Sequence, residues 1–300
     1  MIQVVQFMHP GQEHDHDRND PHYKSWNTGK HKRKFLLSEG SYVTEDDTVL
    51  SGLMTFWGEW EPPSTVQSLR QPHGDPLYPR WLHKPILPSK IPSPTSHGAS
   101  CGACQGGSYQ NTDPFVFGSC FKYFVCQQYR PSTMRPTKLA RLDKGSIVIF
   151  GSKGHQGSTS FFQIDTVFVV ADYLEYNTRD ADALIDERVP ASYREIVYKM
   201  AFPEPTQQSL KLRLYFGATI ENPIHGMYSF VPAKPYSGER IGFSRVRIHG
   251  KSYITNNLSQ GFKTTEVNSV AEGNRIWNEL RQLSREAGCV EAITISCTMS

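Results

Sequence analysis

The chain lacks the motifs that assign a protein to an enzyme class at once. It contains no Gly-x-Ser-x-Gly nucleophile motif, dinucleotide fingerprint, kinase motif set or His-Glu-x-x-His zinc motif. The glycine-rich stretch 151–157 has the composition of a phosphate loop without its Gly-Lys-Ser/Thr ending, so we expect it to join two strands. No internal repeat is visible. No single motif therefore assigns a function.

Long hydrophobic runs are also missing. No apolar stretch approaches the about 20 residues that a membrane-spanning helix needs, and residues 1–8 lack the basic start of a signal peptide. We therefore expect a cytoplasmic protein without a membrane partner. In that compartment the six cysteines are expected to be thiols or metal ligands rather than disulfides. The net charge of +3 is too small to indicate a polyanionic partner by itself.

Short strand-like segments dominate what is present. Runs rich in β-branched and aromatic residues predict strands over 2–8, 50–57, 115–117, 120–126, 146–150, 161–170, 209–216, 225–231, 241–249 and 289–297. Apolar residues at helical spacing predict helices over 191–202 and 269–287. The sequence thus predicts an α+β, β-rich fold, either a curled sheet or a small barrel, with a few peripheral helices.

The chain is predicted to contain two regions. Residues 1–172 form a β-rich region with a long Pro/Ser/Gly loop at 62–112, and residues 173–300 form an α+β region packed on it. The acidic stretch 173–190 marks the boundary. One continuous domain is the alternative.

Four cysteines are candidate ligands of a structural zinc ion. Cys101 and Cys104 lie two residues apart on a glycine-rich knuckle, from which two thiolates can reach one tetrahedral ion. A strand would place Cys120 and Cys126 about 20 Å apart, so both reach one ion only if the chain turns between them. A free pair in the loop and two buried core cysteines are the alternative.

The N-terminal segment is dense in histidine and carboxylate side chains. His9, Glu13, His14 and His16 follow the first predicted strand. Such side chains can bind a divalent metal ion that activates water, which makes His9, Glu13 and His14 the catalytic candidates. One general base from this set, or an ordinary solvated loop, are the alternatives.

An aromatic–acid segment follows at 56–64. Trp57 and Trp60 bracket Glu59, an arrangement that could sandwich a base and accept hydrogen bonds from its exocyclic amine. Asn111 and Asp113 precede another predicted strand and are further candidates for contacts to a nucleotide base. The alternative is that the tryptophans belong to the core and the polar run is a turn.

Two predicted strands carry basic residues on one face. Alternation with apolar residues places Lys211 and Arg213 on one face of the first strand, and Arg245, Arg247 and Lys251 on one face of the second. If the strands pair, the sheet presents a basic plate suited to phosphate groups. An ordinary solvated sheet face is the alternative.

The stretch 139–170, with Gly-Ser-Ile-Val-Ile-Phe-Gly-Ser followed by Asp-Thr-Val-Phe-Val-Val, resembles the barrel core of PUA, ASCH and EVE-like domains. The resemblance covers about a tenth of the chain and implies a small PUA-like barrel and binding of RNA or modified bases. The aromatic–acid segment is also similar to uncharacterised prokaryotic proteins associated with nucleotide modification and phage conflict.

These observations favour a protein that recognises a nucleic acid or a nucleotide, in a prokaryotic modification or phage-defence pathway. A metal-dependent hydrolase or nuclease that uses the N-terminal His/Glu residues is the first alternative. A non-catalytic subunit that binds another protein is the second. Whether the protein is an enzyme is left open by the sequence.

Overall fold

The computed structural model describes residues 2–70, 77–89, 91, 109–179, 186–202, 209–255 and 261–297. The fold is β-rich and has few helices, as predicted. Its strands are β1 (Gln3–His9), β2 (Tyr23–Lys24), β3 (Lys34–Val43), β4 (Val49–Gly58), β5 (Ser64–Ser68), β6 (Trp81–Pro85), β7 (Lys122–Tyr123), β8 (Tyr129–Arg130), β9 (Arg135–Pro136), β10 (Ile147–Gln156), β11 (Thr159–Asn177), β12 (Lys211–Gly217), β13 (Val231–Pro235), β14 (Val246–Ile248), β15 (Gly261–Glu266) and β16 (Val290–Ile295).

The helices are few and mostly short. They are α1 (Ala191–Tyr193), a π-helical turn (Arg194–Tyr198), α2 (Lys199–Ala201) and the long α3 (Val270–Glu286), together with a 3-10 turn at Lys138–Arg141. Among the described residues, no helix combines the length and the apolar character needed to cross a membrane.

A seven-stranded sheet forms the centre of the fold. Its strand order is β15-β1-β10-β11-β12-β7, and β14 adds to one end of β11. β1 and β10 run parallel, and the other pairs are antiparallel. Both faces of this sheet are buried, because Val5 and Phe7 belong to one hydrophobic cluster and Val4 and Met8 belong to another. Burial on both faces explains why the central strands are almost continuously apolar.

The second sheet closes into a small four-stranded barrel. β3 pairs with β4, β4 with β13, β13 with β16, and β16 pairs back to β3. A sheet extension of β6, β5 and β2 continues from β3. Closure removes the exposed edges that an open sheet of four strands would have. The prediction of a β-rich fold with a small barrel is therefore confirmed, but the barrel is built from β3, β4, β13 and β16, whereas the strands of the stretch 139–170 lie in the central sheet.

The α3 helix is confirmed nearly to its predicted bounds. Ser269 caps it by accepting a hydrogen bond from the Glu272 backbone N–H, and Glu272 accepts one from the Asn268 N–H. This arrangement is close to a capping box, except that the Glu272 carboxylate accepts from the residue before the N-cap. Ile276 and Leu280 pack into the second hydrophobic cluster.

Several predicted elements differ from the observed ones: residues 115–117 form no strand, and only Val246–Ile248 of the predicted strand 241–249 is extended. Only Lys122–Tyr123 of the predicted strand 120–126 is extended, because the chain turns at 124–126 to donate three N–H groups to a buried carboxylate. The predicted strand 225–231 begins only at its last residue. The predicted loop 152–160 is mostly strand, since β10 and β11 continue to a tight turn at 157–158.

Both sheets contain strands from either side of residue 172. β11 itself runs through this position, and the barrel joins β3 and β4 to β13 and β16. The predicted boundary thus falls inside a continuous strand. The residues on its two sides share both hydrophobic clusters.

Candidate functional site

The register of the barrel brings two polar segments together at one of its ends. Lys34, the first residue of β3, lies opposite Gly58, the last residue of β4. Residues 31–33 therefore lie next to residues 59–61, just beyond the ends of the two strands. The central sheet adds His9, at the end of β1.

His31, Glu59 and Glu61 form a compact group, here called the His–Glu cluster. The His31 Nδ1 lies 3.1 Å from the Glu61 Oε1 and 3.5 Å from the Glu59 Oε1. One ligand atom from each residue lies within 4.8 Å of the others. Both carboxylates are buried, whereas the His31 side chain is 20% exposed. One imidazole nitrogen and two carboxylate oxygens are a donor set that divalent metals such as Zn²⁺ and Mn²⁺ accept.

Two further histidines flank the cluster. The His9 Nδ1 lies 3.8 Å from the Glu59 Oε2, and the His14 Nε2 lies 3.8 Å from the Glu61 Oε2. The Asn27 side-chain amide lies between His14 and Glu61, at 2.8 Å from the imidazole and 2.5 Å from the carboxylate. Asn27 therefore fixes the orientation of Glu61, as the outer partners of metal ligands do.

Burial controls the protonation of these histidines. Loss of hydration lowers the pKa of both His9 and His14 well below the usual value, and neighbouring cations (Arg33 for His9, Lys34 for His14) lower it further. For His31, burial also acts to lower the pKa, but hydrogen bonds and charge from Glu59 and Glu61 outweigh it and raise the pKa well above 6.5. His31 thus holds a proton where a metal ion would bind.

A chain of buried ion pairs leads away from the cluster. The Arg33 Nη1 donates a hydrogen bond to the Glu59 Oε2 at 2.6 Å, and its Nε lies 3.1 Å from the Asp165 Oδ2. The other oxygen of Asp165 lies 3.0 Å from the Arg245 Nε. The Arg245 guanidinium in turn lies 4.1 Å from the centre of the Trp57 ring system. Arg33 therefore holds Glu59 in place. Burial acts to raise the pKa of Glu59, but the charge of Arg33 opposes this effect and helps to lower that pKa below its usual value.

Residues 110–113 cover the cluster. The Asp113 backbone N–H donates to the Glu59 Oε1, and the Thr112 hydroxyl accepts from the Glu61 N–H. The Asp113 carboxylate accepts three backbone N–H groups, from Phe124, Val125 and Cys126. Burial raises the pKa of Asp113 to about 7, against the effect of those donors.

The predicted base-binding residues are only partly brought together. Trp57 and Trp60 are buried in different hydrophobic clusters, and their indole N–H groups donate to the carbonyls of Phe243 and Pro63. The predicted aromatic sandwich around Glu59 is therefore wrong, because the two rings lie on opposite sides of the strand end. Glu59, Asn111 and Asp113 do lie together, but as a buried group and not as an open base pocket.

The predicted basic plate is not formed. β12 and β14 both pair with β11, at different parts of it, and not with each other. Most of the predicted phosphate-binding residues also have partners of their own: Lys211 and Arg213 pair with Glu175, Arg245 with Asp165, and Lys251 with Glu279, while Arg247 donates to Gln156. Alternation of basic and apolar residues indicates which side chains share a face of one strand, but it does not determine which strands are neighbours.

The predicted N-terminal catalytic set divides. His9 and His14 reach the His–Glu cluster, whereas the Glu13 carboxylate accepts hydrogen bonds from the backbone N–H groups of Arg80 and Trp81. Glu13 therefore anchors the loop before β6, and its role as a base is not supported by its contacts. His16 lies against Trp81, away from the cluster.

Only two of the four predicted zinc ligands lie among the described residues. Cys101 and Cys104 lie outside the described residues. The Cys126 Sγ lies 3.7 Å from the His9 Nε2, whereas the Cys120 Sγ bonds to the carbonyls of Phe121 and Gly217. Neither of these two thiols forms a disulfide bond.

The sequence did not single out His31, Arg33, Glu61 or Asp165 as site residues. His31 and Arg33 belong to a short basic run at 31–34, and Glu61 lies in the aromatic–acid segment 56–64. Residues 31–33 can be placed beside residues 59–61 only if the register of β3 and β4 is known. No family model matches the chain, and neither a curated protein nor a solved structure matches it.

Proposed function

We propose that this protein is a metal-dependent hydrolase, with a divalent metal ion bound by His31, Glu59 and Glu61. One observation carries the proposal: the ligand atoms of these three residues lie within 4.8 Å of one another. Of the three side chains, His31 is the one that is partly open to solvent. The flanking histidines and the ion pairs around Glu59 support it, because metal ligands need outer partners that fix their orientation.

The metal ion would supply Lewis acidity and a water molecule with a lowered pKa. The chain itself would supply the base. His9 is the candidate, because its lowered pKa keeps the imidazole neutral at pH 7 and its Nδ1 faces Glu59. His14 and Asn27 would hold Glu61 in position.

Metal titration of the purified protein tests the site. We expect one tightly bound divalent ion per chain after treatment with EDTA and addition of Zn²⁺ or Mn²⁺, and loss of that ion in His31→Ala and Glu61→Gln. His22→Ala and Glu39→Gln are matched controls, because both residues are exposed and lie outside the cluster. Calorimetry and native mass spectrometry give the stoichiometry.

Hydrolysis is then measured on chromogenic esters, phosphate monoesters and phosphate diesters, with and without the metal ion. We expect metal-dependent turnover in the wild type and in both controls, and none in the two cluster variants. A protein that binds no divalent ion at this cluster, or that binds one and hydrolyses no ester, contradicts the proposal.

Recognition of a nucleotide or nucleic acid is the second candidate function. It is favoured by a cleft lined by Trp57, Lys32 and Arg245 among others. Nucleotide binding without metal-dependent hydrolysis would select it. A PUA-like relationship, a place in a prokaryotic modification or phage-defence pathway, a protein partner and a cysteine-bound structural zinc remain predictions from the sequence.

A further inference from the structure

A cleft with a volume of about 890 Å³ is lined by Lys32, which follows His31 in the chain, and by Arg245. The His–Glu cluster does not line this cleft, but Arg245 is connected to Glu59 through the buried ion pairs of Asp165 and Arg33. Residues 11–13, the end of β10 at 153–155 and Arg245 form the facing walls. Clefts of about 300–1,000 Å³ hold ligands of the size of a mononucleotide.

The walls of this cleft carry an excess of positive charge. Lys32, Arg80, Lys153 and Arg245 line it, against the carboxylates of Glu13 and Asp15. Those two carboxylates pair with Arg80. Within the described residues, neither Lys32 nor Lys153 has a carboxylate within ion-pair distance. Two ammonium groups at one cleft without counter-charges favour binding of an anion.

Arg245 gives the cleft a fixed donor. It is 6% exposed. Its Nε faces Asp165, its Nη1 donates to the Gly11 carbonyl and the Ser152 hydroxyl, and the Trp57 ring supports its guanidinium plane. In the described part of the chain, its Nη2 has no hydrogen-bond partner. A buried guanidinium that keeps one donor unused is suited to an oxyanion, and a phosphate oxygen is the typical partner.

We infer that the cleft binds the phosphate group of a phosphate-ester substrate of about mononucleotide size. The inference rests on the proposed hydrolase function and names its substrate class. In the reaction, the oxygen of water forms a bond to phosphorus and the ester P–O bond breaks. One proton of the water passes to the leaving alcohol oxygen, so that the products are orthophosphate and an alcohol.

Binding is tested in EDTA, so that the result does not depend on a metal ion. Calorimetry compares AMP, inorganic phosphate and adenosine as ligands of the wild-type protein and of Lys32→Gln, Lys153→Gln and Lys211→Gln. Lys211 is a matched control, because it is exposed and pairs with Glu175 away from the cleft. We expect AMP and phosphate to bind and adenosine to bind at least tenfold more weakly than AMP. Each cleft variant should weaken AMP binding about tenfold, since a hydrogen bond to a charged group is lost.

Adenosine binding as tight as AMP binding would overturn the inference, as would cleft variants whose Kd for AMP stays within twofold of that of the wild type. Arg245→Lys is a second, charge-preserving variant that removes the unused donor, and its folding is checked by circular dichroism. If the wild-type protein binds AMP but no metal ion, the hydrolase proposal is refuted and the inferred anion cleft is supported. If it hydrolyses carboxylic esters but does not bind phosphate, the inferred anion cleft is refuted and the hydrolase proposal is supported.

Discussion

Substitution of Glu59 by Gln should destabilise the protein more than substitution of any exposed carboxylate. Glu59 is 5% exposed and lies against Arg33, which is 1% exposed. Glu59→Gln keeps the shape of the side chain and leaves Arg33 with Asp165 as its remaining anion. Removing one member of a buried ion pair costs about 3–5 kcal/mol, because the other charge stays buried.

The size of the effect can be expressed as a melting temperature. A chain of 300 residues unfolds with an entropy of about 0.6 kcal/mol/K near its midpoint, so the loss corresponds to a fall of about 5–8 °C in Tm. Glu175→Gln is the matched control. It breaks an exposed pair with Lys211, for which about 0–1 kcal/mol is expected.

Differential scanning calorimetry in EDTA measures both variants without a contribution from metal binding. Urea denaturation provides the free energy of unfolding independently. If Glu59→Gln melts within about 1 °C of Glu175→Gln, a size typical of an exposed pair, the buried ion pairs do not hold this end of the barrel. The account of Glu59 as a fixed ligand would then be wrong.

Other predictions concern protonation and metal content. Because the pKa of His31 is raised, each metal ion should displace one proton, and the affinity should rise about tenfold per pH unit below that pKa; calorimetry in buffers of different ionisation enthalpy measures the proton, and no release would contradict this. Burial lowers the pKa of Lys34 to about 7, so wild-type stability should rise from pH 7 towards 10.5, and Lys34→Met should flatten that rise in urea titrations. The pKa of Asp113 is raised to about 7 from 3.8, so stability should fall as the pH rises between these values, and an unchanged fall in Asp113→Asn would refute this origin. If Cys101 and Cys104 bind zinc, one zinc ion per chain in the wild type should disappear in either Cys→Ser variant; elemental analysis decides.

Elements with a strong local signal were predictable from the sequence. The α3 helix carries both an apolar face and a serine N-cap, and the central strands are apolar on both faces. These signals depend only on residues that are close in the chain. The same is true of the alternation in β12, which the structure confirms over residues 211–214 but not at Tyr215, which is buried.

The site was less predictable, because it depends on register and strand order. β3 runs without a break through Gly40, and the turn to β4 lies at 44–48. The register that follows from this turn places His31 beside Glu61. Asp165 lies in an apolar strand, and nothing near it in the chain indicates that its partners are Arg33 and Arg245.

The concentration of charge at this end of the barrel has a physical cost that argues for a binding role. Glu59, Glu61 and Asp165 are buried, and so are Arg33 and Arg245. Each must lose its hydration on folding, and apolar side chains of similar volume are often at least as stabilising as a buried ion pair. Stability alone therefore does not explain why these charges are buried here. Under the proposed function, charged groups that are already fixed in place bind a metal ion or a phosphate group with little rearrangement. The metal and phosphate titrations test whether binding is the role of this end of the barrel.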